Sequence, residues 1–155
     1  MMTMLALILS VNLAMPAMMH EVPCQYCKLM VVQNTETQDN EVVLQFGNKR
    51  IEYRCVYCAI ADSPRYSMDI IIYAPSEKVG EPVIILRKDG KWSTRSENAV
   101  FINMFKEHAH CAELSRAFHT KEAFDAYVEK HKVAEPKALK LDELVAAILK
   151  PKDKQ

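Results

Sequence analysis

Apolar and polar positions alternate through EVVLQFGNKRIEYR, residues 41–54, and the alternation is interrupted at Gly47-Asn48. A period of two on each side of a two-residue turn predicts a β-hairpin, with Val42, Leu44 and Phe46 on one face. The next stretch, CVYCAIAD, leaves the second strand and predicts the first turns of a helix closed before Pro64. Cys55 and Cys58, three apart, then fall on one side of that helix. MDIIIYAP, residues 68–75, is an apolar run of strand length, and PVIILRKDGKWST, residues 82–94, predicts a second hairpin turning at Asp89-Gly90, with Trp92 packed across its ladder. The pattern in SENAVFINMFKEH, residues 96–108, fits a short helix and a strand-to-helix passage equally. HTKEAFDAYVEKH predicts a helix capped by Thr120, with Phe124, Tyr127, Val128 and His131 on a common face and His131 packed and hydrogen-bonded there. LDELVAAILK predicts a last helix, with Asp142 at its start and Pro151 beyond its end. The expected class is α+β: a treble-clef-like β-hairpin plus helix unit, a second hairpin/helix unit, and C-terminal helices.

The chain has 155 residues, half of them apolar, enough for one domain with a core that stands without crosslinks. Its opening, MMTMLALILSVNLAMPA, carries no charge, whereas all forty charged residues lie beyond Ala17. An apolar run this short suits a secretory signal better than a membrane span. The expected division is a signal peptide over residues 1–17 and a single metal-binding domain over 18–155, placed in the periplasm or cell envelope. Cys24 follows Val22-Pro23, which does not match a lipid-attachment site. Twenty Lys plus Arg against twenty Asp plus Glu, with no block of one sign, excludes the electrostatic footprint of a nucleic-acid binder.

The chemistry lies in the cysteines. Cys24 and Cys27 are separated by two residues, as are Cys55 and Cys58, and a predicted hairpin spans the interval. Two residues between thiols let one turn aim both sulfurs at a single ion, and a hairpin can bring the second pair back over the first. That spacing predicts capacity for a metal, with three bland readings beside it. A closed four-thiolate zinc site would only stiffen the fold. Disulfides would suit an exported protein, leaving Cys111 over. Cys55 and Cys58, following a strand and opening a helix, would also suit dithiol chemistry. Haem attachment is excluded, because Lys28 and Ala59 stand where a histidine is needed.

Soft donors flank the first pair: Met18, Met19 and His20 before it and Met30 after it. Thiolate, thioether and imidazole together favour Cu(I), although a methionine more commonly packs in a core. A second candidate cluster, FKEHAHCAELSRAFHT, holds His108, His110 and Cys111, with Met104 and His119 nearby. Neighbours two apart diverge on a helix or a strand, so only an ordered loop would bring these together.

With Cys24, Cys27 and Met30 near the start and ENAVFI, SRAFHTKEAFDAYV and LDEL in order later, the chain resembles the NosL family of exported copper-binding accessory proteins. The resemblance covers most of the chain beyond the signal. It implies a fold related to organomercurial lyase, Cys24, Cys27 and Met30 as copper-handling positions, and transfer of Cu(I) to an apo-cuproenzyme such as nitrous oxide reductase. The expected function is thus a non-enzymatic Cu(I) chaperone or buffer. In this chain Lys28-Leu29 replaces the glycine that usually follows the second cysteine, and Cys55 and Cys58 are additional. A structural zinc module is the competing reading. A third is a lyase-like enzyme, in which Cys111 would pair with an N-terminal cysteine and Asp62 or Asp69 would supply the acid.

Overall fold

The computed structural model describes residues 22–31, 41–103 and 115–150. The first hairpin forms as expected, with β1 (Val42–Phe46) antiparallel to β2 (Lys49–Tyr53) and Leu44 opposite Ile51. Helix α1 (Val56–Asp62) follows at once, and a single 3-10 turn, Ser63–Arg65, closes it at Pro64. Strand β3 (Ile70–Ala74) then pairs with β1 on one side and with β4 (Val83–Lys88) on the other. The second hairpin is completed by β5 (Lys91–Thr94). Asp89 and Gly90 both take positive φ, as a tight two-residue turn between right-twisted strands requires.

Because β3 joins the two hairpins edge to edge, they share one five-stranded sheet in the order β2-β1-β3-β4-β5. Period two decides what that sheet buries. Ile70, Ile72 and Ala74 of β3, with Val83 and Ile85 of β4, are fully buried, and the residues between them are half-exposed. Trp92 on β5 is half-buried against this core, and the Arg87 guanidinium lies 5.9 Å from its ring centre.

The passage that sequence left undecided begins as a strand, β6 (Val100–Asn103). It lies between β7 (Ser115–Phe118) and β8 (Ala138–Leu139) in a second, three-stranded sheet. β6 is buried on both faces. Phe101 joins the main core, and Val100 and Ile102 join a smaller one with Phe118 and Phe124. That smaller core is the inner face of α2 (Lys121–His131), capped by the Thr120 hydroxyl, which accepts from the Ala123 amide at 3.2 Å. His131 departs from expectation: it is exposed, stacked on Tyr127 with ring centres 4.4 Å apart. It occupies the last turn of the helix, where it lines an open groove with Arg116 of β7. The final helix, α3 (Leu141–Leu149), starts with Asp142 and Glu143 in its first turn, and Glu143 accepts from the Lys140 amide at 2.8 Å.

The expected α+β class holds, and its value to the site lies in how α1 is fixed. At the far end of the helix, Asp62 is buried and accepts from the Tyr53 hydroxyl at 2.7 Å and the Tyr66 hydroxyl at 3.3 Å. Burial, followed by those two neighbours, holds the Tyr53 phenol well above its usual range, so it remains a donor. Arg87 on β4 donates to the carbonyls of Ser63 and Met68, each at 2.8 Å, and to that of Tyr66. One guanidinium thus ties the whole exit of α1 to the sheet.

Candidate metal centre

The residues around Cys24 and Cys27 form a compact knuckle. The Cys24 amide donates to the Leu29 carbonyl at 2.8 Å, the Lys28 amide donates back to the Cys24 carbonyl at 3.0 Å, and Pro23 bridges Met30. Closing so short a loop puts Lys28 at φ +65°, a left-handed conformation that a side chain resists. The Arg54 guanidinium, at the end of β2, donates to the Met30 carbonyl at 2.8 Å. The hairpin is thereby fastened to the knuckle.

On the other side, Cys55 caps α1 and Cys58 points from its first turn. The Cys58 amide donates to Cys55 Sγ at 3.5 Å, and the two sulfurs lie 3.4 Å apart. The knuckle meets the helix here. Sγ atoms of Cys24, Cys27 and Cys58 all lie within 4.8 Å of one another. An ion about 2.3 Å from each thiolate would set the sulfurs about 3.8 Å apart, so at most about an ångström of closure is needed. The structure therefore brings together two thiols from the start of the chain and one from the helix, across the hairpin, and these three can hold a metal ion. Cys55 touches Cys58 but is not one of the three. No disulfide joins any of these four cysteines to another.

Their environments differ. Cys24, Cys55 and Cys58 are buried, whereas Cys27 is half-exposed. A hydrogen bond from the Cys58 thiol lowers the Cys24 pKa to about 5 against the opposing effect of burial, helped by backbone amides of Cys27, Arg54 and Tyr26. Burial pushes Cys27 up to about 11, with the neighbouring Cys24 charge adding to the effect. The group thus keeps one thiolate ready beside a protonated thiol at the surface. Tyr57 packs edge-on against Tyr26 with ring centres 6.0 Å apart, and its phenol is pushed up to about 12, chiefly by burial.

Met30 lies on the rim of the knuckle, 43% exposed. Tyr26 and Leu29 beside it are also exposed, so three of the five exposed large hydrophobic residues among those described surround Cys27. Cys111, His108, His110, Met104, Met18, Met19, His20 and the segment read as a signal lie outside the described residues. His119 is described and is otherwise engaged: its Nδ1 is 3.0 Å from Ser96 Oγ and its Nε2 is 2.9 Å from the Glu81 carbonyl. Of the two acids considered for a lyase, Asp62 is occupied by Tyr53 and Tyr66, and Asp69 is exposed and accepts from the Asp89 amide at 2.9 Å. Among the described residues, no helix is long and apolar enough to cross a membrane. Sequence reasoning missed Arg54, because nothing in its spacing from Met30 signals a contact made only when the hairpin folds over the knuckle.

No family model matches the chain. No curated protein matches it. Among solved structures, it is similar to the mercury-bound form of MerB2, with a TM-score of 0.56 at 15% identity, covering 68% of this chain. The match spans about half of the MerB2 chain, 54% of its length. At this identity the likeness shows the fold alone: a distant match to the organomercurial lyase fold.

Proposed function

We propose that this protein is a carrier of a soft metal ion rather than an enzyme, holding Cu(I) on Cys24, Cys27 and Cys58 in the cell envelope and passing it to an apo-cuproenzyme. The observation that carries this reading is the meeting of three thiols within 4.8 Å with one of them, Cys27, half-exposed. An all-sulfur set of three suits a soft cation with a low coordination number. A half-exposed ligand gives a receiving thiol somewhere to attack, and Tyr26, Leu29 and Met30 give a partner an apolar rim to rest on. NosL kinship rests on the residues quoted from the sequence, and the fold likeness agrees with it. On that kinship the recipient is nitrous oxide reductase.

The test is an anaerobic Cu(I) titration against a chromophoric chelator, with Cys24→Ser and Cys27→Ser alongside. Each variant should lose copper while keeping its circular dichroism, because a core of this size does not depend on the ion. Unfolding of both variants would instead indicate a structural site.

One observation favours a second reading. Cys55 Sγ, 3.4 Å from Cys58, is close enough to become a fourth ligand and close a zinc site. Under that reading, dialysis against mixed metals leaves stoichiometric zinc and no copper.

A further inference from the structure

We propose that Cys58 serves two mutually exclusive states: ligand to the soft ion with Cys24 and Cys27, and disulfide partner of Cys55, so that oxidation by a small-molecule disulfide expels the ion. The proposal rests on the three-thiol reading above and adds a redox activity to it. Three observations carry it. Cys58 belongs to the group whose sulfurs lie within 4.8 Å of one another. Its sulfur is also 3.4 Å from that of Cys55. The two residues are three apart at the start of α1, with Cys55 extended and Cys58 helical, so their side chains rise on the same side. A disulfide needs the sulfurs to close to about 2.05 Å, a move of about 1.4 Å that side-chain rotation supplies.

Cys55 and Cys58 are 1% and 0% exposed, so an external disulfide does not reach them directly. Cys27 is the accessible sulfur of the set. The Cys27 sulfur attacks one sulfur of the external disulfide, its proton passing to the first small thiol as that leaves, and a mixed disulfide forms. Cys58 then attacks the Cys27 sulfur, forming a Cys27–Cys58 disulfide and releasing the second small thiol. Finally Cys55 attacks the Cys58 sulfur, returning Cys27 to its thiol and leaving a Cys55–Cys58 disulfide. Two protein thiols have given up two electrons and two protons, and one external disulfide has become two thiols. The ion is left with Cys24 and Cys27, and the half-exposed one of these is open to exchange.

The experiment uses the full chain, apo and Cu(I)-loaded, treated anaerobically with oxidised glutathione. A control receives reduced glutathione in the same thiol amount, so that ligand competition is subtracted. Alkylation and peptide mass spectrometry map the pairing, and copper is counted after desalting. The expected results are a Cys55–Cys58 disulfide and loss of copper in step with it. Cys55→Ser, whose hydroxyl still caps the helix, takes up Cu(I) normally and, lacking the sulfur that makes the last exchange, accumulates the Cys27–Cys58 disulfide under oxidation. Mapping to Cys24–Cys27, copper retained by protein that carries the Cys55–Cys58 disulfide, or no Cys27–Cys58 disulfide in oxidised Cys55→Ser overturns the proposal. Failure of the reduced protein to take up Cu(I) overturns the metal reading itself, whereas uptake without oxidative loss overturns only the redox coupling.

Discussion

Arg54 donates from Nη1 to the carbonyl oxygen of Met30 at 2.8 Å, so the residue that follows β2 holds the closing residue of the cysteine knuckle. The bond is charge-assisted and spans twenty-four residues of chain. Arg54→Ala should loosen the knuckle while leaving the sheet intact. Cu(I) affinity is expected to fall about tenfold, or about 1.4 kcal/mol, in a chelator competition titration. Unaltered affinity would show that the knuckle holds its shape without the arginine.

The low pKa of Cys24 has a spectroscopic consequence. In the apo protein, thiolate absorbance in the ultraviolet should rise with a midpoint near pH 5, and Cys24→Ser should abolish that step. A thiol held below its ordinary value makes the folded state bind fewer protons than the unfolded one over the interval between the two values. Its stabilising contribution is therefore complete above the ordinary value of 9.0 and is lost as pH falls to about 5. Cys27 acts in the opposite sense: raised to about 11, it withdraws stability as pH climbs from 9.0 toward that value. Chemical denaturation of the apo protein across this range should peak near the ordinary thiol pKa. A steady decline from pH 5 upward would contradict the assignment.

Lys28 sits at φ +65° with its ammonium 2.6 Å from the Gln25 carbonyl. A left-handed lysine costs about 1–2 kcal/mol relative to a conformation that suits it, and glycine is free of that penalty. Lys28→Gly is expected to stabilise the fold by about 0.5–1 kcal/mol, after the added freedom of the unfolded chain is subtracted. A lowered melting temperature would mean that the lysine's contact with Gln25 outweighs the strain.

Tyr53→Phe removes the shorter of the two hydroxyl donors to buried Asp62. Leaving a buried carboxylate short of a partner costs about 1–3 kcal/mol. The loss should show in urea denaturation, whereas Cu(I) uptake by the folded protein stays as it was, because Asp62 supports the end of α1 rather than the ion. Abolished uptake with an intact fold would place Asp62 in the metal chemistry.

The elements that sequence made legible are those whose signals are local. Period two around Gly47-Asn48 and Asp89-Gly90 located both hairpins, Thr120 marked the start of α2, and Pro64 marked the end of α1. The short strands β7 and β8 carried no such signal. Ser115–Phe118 is four residues and Ala138–Leu139 only two, and both are strands because β6 lies between them. The cysteine spacing pointed to convergence of the two pairs, and three of the four sulfurs do converge. The different standing of Cys55 was not legible. It follows from the extended conformation of the capping residue, which turns its sulfur toward the Cys58 amide. His131 was misread because helical spacing reports a shared face without reporting how much of that face is covered.

Arg87 gives the three-thiol group one fixed post. By anchoring the segment just past α1 to β4, it keeps Cys58 stationary relative to the sheet, whereas Cys27 rides on a turn only a few residues long. Under the proposed function, the ligand on that turn is the one an incoming partner would meet first. Under the carrier function proposed above, release of the ion would then require no melting of the surrounding architecture.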